Sequence, residues 1–97
     1  MPIKDTSKIS SDNGVIALQL IAFIVSDDER LDRFTALSGM GLNDLQEGAQ
    51  NQTFLGFMFD YALQDEALFL EFAREHEIAP QTLINARRHF PGANDDF

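Results

Sequence analysis

Thr53-Phe54-Leu55-Gly56-Phe57-Met58-Phe59-Asp60-Tyr61-Ala62-Leu63 is the stretch whose reading decides the fold. No apolar/polar alternation of period two runs through it, so it does not read as a half-buried strand. At 100° per residue its large apolar side chains sweep about 240° of a helix surface, relieved only by Gly56 and Asp60. A helix that is apolar around so much of its circumference needs other elements around it. Val15 to Val25 repeats the situation, apolar at every position except Gln19.

Working outward, the segments between these two carry helix signals. Ser11, Asp12 and Asn13 offer N-caps for a first helix of about 13–25. Ser26 and Glu29 are spaced as a capping box, with Asp27 and Asp28 beside the positive helix end, so a second helix is expected from about residue 27. Leu31, Phe34 and Leu37 mark its expected core face, and Gly39 and Gly41 its stop. Asn43 is placed to cap a short third helix of about 44–49, and the apolar stretch forms a fourth over 53–63. Asp65 caps a fifth that ends near Glu77, with Leu68, Phe69, Phe72 and Ala73 turned inward. Pro80 suits the first position of a sixth, whose last turn holds Arg87, Arg88 and His89. The expectation is an all-α single compact domain of about six short helices over 12–91, with a mobile N-terminal arm over 1–11 and a flexible tail over 92–97.

Composition narrows the function classes. Sixteen acidic residues against seven basic ones give a net charge of -9, which repels phosphate backbones and argues against nucleic-acid binding. The absence of cysteine removes disulfides, thiolate nucleophiles and thiolate metal sites. The run from Val15 to Val25 is too short to span a membrane. It follows Lys4 and Lys8 as the apolar part of a signal peptide would, but Asp5 and Asp12 offset them and no small-residue cleavage pattern follows.

With the helices placed, one pattern stands out. It comprises Ile16-Ala17-Leu18, Ala22-Phe23-Ile24, Asp28-Glu29-Arg30-Leu31-x-Arg33-Phe34 and Ala36-Leu37-Ser38-Gly39-x-Gly41-Leu42, then Tyr61-Ala62-Leu63-x-Asp65-Glu66 and Leu70-x-Phe72-Ala73. It resembles a family of short, uncharacterised alphaproteobacterial proteins grouped as a domain of unknown function. The resemblance covers about residues 14–90 and implies a bacterial, cytoplasmic protein, with no activity or catalytic residues attached to it.

Candidate chemistry is sparse. Ser38-Gly39-x-Gly41 reads as a helix stop, since its glycines do not fit a nucleophile elbow and no strand precedes it. Glu71, Glu75 and His76 are the nearest approach to a metal cluster, but only the two glutamates share a helical face; no metal and no cofactor is expected. Arg30, Arg33, Asp65 and Glu66 could gather around a small pocket for ligand binding or acid–base work. The same residues also serve as caps and i,i+4 partners. The leading expectation is a non-enzymatic interaction module, because two such apolar helices exceed what a small domain readily encloses. Surplus surface on the fourth helix would contact a protein partner or a second copy in a homodimer, through Phe54, Phe57, Met58 and Tyr61. A third reading is an acidic regulator that binds a basic protein surface.

Overall fold

Short polar side chains start three of the helices. Asp27 accepts the Glu29 backbone N–H at 3.1 Å, Asn51 that of Phe54 at 3.0 Å, and Asp65 that of Leu68 at 3.3 Å. Each satisfies a donor that the first helical turn leaves unpaired. The helices are α1 (Pro2–Val25), α2 (Asp28–Ser38), α3 (Leu42–Gly48), α4 (Gln52–Gln64), α5 (Glu66–Glu75) and α6 (Pro80–Arg87). The computed structural model describes the backbone of residues 2–92 and the side chains of residues 13–92, and among these there is no strand. The side chains of the expected arm, and the tail beyond Gly92, lie outside the described residues.

Helix count and order follow the sequence reading, while several boundaries move. α1 runs through Ser11, Asp12 and Asn13, the residues expected to cap it. The α2 cap is Asp27, and Ser26 instead donates its hydroxyl to the Phe23 carbonyl at 3.0 Å. α3 starts at Leu42, so the expected cap Asn43 lies inside it; Asp44 reaches back to accept the Gly41 N–H at 2.9 Å. Gly39 ends α2 as expected, in the left-handed region with φ 78°, a backbone conformation that strains residues with a side chain.

α4 occupies the middle of the fold and touches α1, α3, α5 and α6. Leu55, Gly56, Met58, Phe59 and Ala62 are buried on it, while Phe54, Phe57 and Tyr61 are half-buried against the same core. Ala17, Leu20, Ile21 and Ile24 recur at helical spacing and form the inward face of α1. Val15 and Leu18 lie away from that face and remain exposed. The uncovered apolar surface of the two helices is thus larger on α1, a departure from the expectation that α4 would carry it. Met58, expected in the interaction patch, is fully buried.

Leu37 also departs from expectation. Residues spaced by three on a helix of 3.6 residues per turn drift about 60° backward per step, so Leu31 and Leu37 diverge by about 120°. Phe34, between them, is fully buried; Leu31 is half-buried and Leu37 is 63% exposed.

One buried charge ties the C-terminal end to α4. Arg87, only 8% exposed, makes a two-pronged bond to Asp60, with Nε to Oδ1 at 2.7 Å and Nη2 to Oδ2 at 3.0 Å. Its Nη1 donates to the carbonyls of Phe90 and Pro91, each at 3.1 Å. Beyond complementing the helix dipole, which its place in the last turn permits, Arg87 takes as partners a carboxylate from another helix and the chain beyond its own helix end. Gly56 makes room for it, because a Cβ there would sit 2.8 Å from Arg87 Nη1 and 3.0 Å from the Pro91 carbonyl oxygen.

Gly56→Ala is expected to destabilise the fold by about 1–3 kcal/mol through overpacking at this contact. Phe34→Ala is expected to cost about 3–5 kcal/mol as a core truncation. Urea unfolding followed by circular dichroism checks both, and a change below about 0.5 kcal/mol in either contradicts the packing described.

Candidate functional site

Phe34 links α2 to α4. Its buried ring meets Tyr61 edge-on at 5.0 Å and Phe57 at 6.5 Å between centroids. Beside it lies a cleft of about 630 Å³ lined by residues of α2, α4 and the turn at Met40. Leu37, Met40, Phe57 and Tyr61 supply its apolar surface, with Arg33 and Asp65 at one end. Ser38 shapes the other end: its hydroxyl donates to the Phe34 carbonyl at 2.6 Å and accepts the Met40 N–H at 3.1 Å. That link holds the turn carrying Met40 against the end of α2.

Arg33 Nε donates to Asp65 Oδ2 at 2.9 Å, while Asp65 Oδ1 caps α5. The pair divides the first cleft from a second of about 440 Å³ between the N-terminal half of α2 and α5. Asp27, Glu29, Arg30 and Glu71 line this second cleft, and Arg33, Tyr61 and Asp65 belong to both. Arg30 lies 3.7 Å above the Phe23 ring, donates to the Phe23 carbonyl at 3.2 Å and to Glu71 at 3.0 Å, and approaches Asp27 at 3.7 Å. Stacking on an aromatic face with a forked set of acceptors is what a guanidinium does well.

The four polar residues singled out in the sequence therefore meet only in part. Arg33 and Asp65 are bonded, Arg30 lines the neighbouring cleft, and Glu66 sits exposed in the first turn of α5 and lines neither. Of the four expected patch residues, Phe57 and Tyr61 line the apolar cleft, Phe54 lies tilted against Phe57 at 5.8 Å, and Met58 faces the core. Leu37 and Met40 were missed as surface contributors. The signal available for Leu37 was the angular drift of a three-residue spacing; for Met40, in a turn, there was none.

His76 packs tilted against Phe72 at 4.5 Å and edge-on to Phe23 at 6.0 Å between centroids, and Glu71 is engaged by Arg30. Among the described residues no three of His, Asp or Glu converge as ligands for a metal ion. No described helix is long and apolar enough to cross a membrane.

Residues 10–93 match a protein family described as a protein of unknown function (DUF3572). The chain belongs to this family. No curated protein and no solved structure matches it. The DUF3572 match takes in all of α2 to α6 and most of α1, so both clefts lie within it.

What the DUF3572 geometry offers chemically is an apolar recess whose charged end is internally neutralised. Tyr61, at the junction of the clefts, has its phenol pushed above the ordinary value of 10.0, first by burial and then by the Asp65 carboxylate, with Arg33 pulling the other way. It is the only tyrosine and tryptophan is absent, so ultraviolet titration reads it directly. The midpoint is expected above that of free tyrosine, lower in Asp65→Asn and higher in Arg33→Gln. Because the folded state holds this proton more tightly, the linked stability is fully present below pH of about 10 and is lost as pH rises through the folded midpoint. A midpoint unmoved by either substitution contradicts the arrangement. Asp65→Ala is expected to cost about 0.5–2 kcal/mol, chiefly through the α5 cap. Arg33→Ala is expected to cost less than about 1 kcal/mol, because an exposed pair is screened; chemical denaturation separates the two.

Proposed function

We propose that this chain is a non-enzymatic protein–protein interaction module that receives an apolar side chain of a partner in the cleft between α2 and α4. The observation that carries the reading is Leu37: a leucine 63% exposed, at the lip of a recess walled by Met40, Phe57 and Tyr61. Aromatic and methionine side chains in a concave patch with a polar edge are the composition of an interface core. Arg33 and Asp65 engage each other, and Arg30 is held by Glu71 and Phe23, which favours a binding role for this face over acid–base chemistry. The resemblance to alphaproteobacterial proteins supports a bacterial cytoplasm as the compartment in which the partner is met.

Leu37→Gln removes the exposed apolar group while leaving the buried core intact. The expected outcome is an unchanged circular dichroism spectrum and thermal midpoint, with association weakened by about tenfold, the worth of roughly 1.4 kcal/mol of lost burial. Leu70→Gln, at an exposed leucine on α5 outside both clefts, is the control. Quantitative capture from the native host with all three proteins, and light scattering of each alone, provide the measurement. Equal capture by all three, with no change in oligomeric state, contradicts the reading.

A further inference from the structure

The two clefts adjoin along α2, meeting at Arg33, Tyr61 and Asp65, and they differ in character. At one half the lining is Leu37, Met40, Phe57 and Tyr61; at the other it is Asp27, Glu29, Arg30 and Glu71. Glu29, Arg33 and Leu37 follow one another at four-residue spacing on α2, so the acidic and apolar ends stand about 12 Å apart along the helix axis. In the acidic half Asp27, Glu29, Asp65 and Glu71 outnumber Arg30 and Arg33. Both guanidiniums are already committed, Arg30 to Phe23 and Glu71 and Arg33 to Asp65. Among the described residues the Glu29 carboxylate takes part in no ion pair, and Asp28 and Asp32 add exposed negative charge to the same helix. The field over this half is negative, and neighbouring carboxylates reinforce it.

We infer that the partner is a cationic protein segment that places a bulky apolar side chain in the α2–α4 cleft and a lysine or arginine over Glu29. This rests on the docking reading above and adds the chemistry of the occupant. Charge complementarity selects it, because a cation is attracted where an anionic segment is repelled, and opposite potentials steer association. A second copy of this chain fits poorly, since at a net charge of -9 it would bring like charge to an acidic surface. A free cation would satisfy the acidic half and leave the apolar half bare. The separation of about 12 Å corresponds to roughly eight residues of helix or four of extended chain between anchor and cation.

The test is selection of a displayed random peptide library of roughly twelve residues, long enough to reach across both clefts in either conformation. The full chain is the target, with Leu37→Gln and Glu29→Lys as parallel targets and matching circular dichroism as the folding control. The expected peptides carry a leucine, phenylalanine or methionine anchor together with lysine or arginine. Their synthetic forms should bind the wild-type chain at least about tenfold more weakly between about 50 mM and 500 mM salt, a range over which screening shortens to a few ångströms. Leu37→Gln should lose binding, and Glu29→Lys should both weaken it and flatten the salt dependence. Peptides with an apolar anchor and no preference for cations, insensitive to Glu29→Lys, would leave the docking reading standing and overturn the cationic partner. Peptides insensitive to Leu37→Gln would overturn both. Enrichment of acidic peptides, or of none, overturns the inference.

Discussion

The packing of Phe34 against α4 is the contact on which the arrangement depends. Its ring is fully buried and meets Tyr61 edge-to-face, the geometry in which the positive rim of one aromatic faces the negative face of another. Through Phe57 and Tyr61 it joins α2 to the central helix, and a cleft lies to either side of this aromatic contact. The apolar cleft lies toward the C-terminal end of α2 and the acidic cleft toward its N-terminal half. Tyr61 therefore has two roles: its ring closes the core around Phe34 and its phenol marks the boundary between the clefts.

The second constraint is the buried guanidinium of Arg87. A charge in a protein interior is tolerated when its donors are occupied, and Arg87 finds a carboxylate on α4 and two carbonyls past the end of its own helix. The final turn is thereby fastened to the central helix, and Phe90 packs against Phe59 at 5.3 Å beside it. The Asp60 carboxylate is also spoken for, although it borders the apolar cleft. Together these contacts leave the cleft with an apolar character despite three charged residues around it.

Much of the architecture was legible in the residues. Six helices, the cap at Asp65, the proline at the first position of α6, the stop at Gly39 and the inward face of α5 follow from local chemistry and helical period. What misled the reading was competition between adjacent polar residues for one role. Ser26 and Asp27 both suit an N-cap, and Gly41 and Asn43 both suit the start of α3; a one- or two-residue choice between them depends on where the neighbouring helices place the turn. The enclosure of α4 was legible only as a need, since its apolar sweep does not say which neighbours cover which side.

By itself the sequence determined that this chain is helical and acidic, because helical period, caps and net charge are properties of neighbouring residues and of composition, and its match over residues 10–93 placed it in the DUF3572 family. It also singled out Phe57, Tyr61, Arg33 and Asp65, though under two separate hypotheses. Only the tertiary structure decided that these residues line one cleft, that Met58 belongs to the core and that Leu37 belongs to the surface. The physical reason is that a face of a helix becomes a surface or a core according to what packs upon it. Contacts such as Phe34 on Tyr61, Arg33 to Asp65 and Arg87 to Asp60 join residues 27 or more positions apart, beyond the reach of any local pattern.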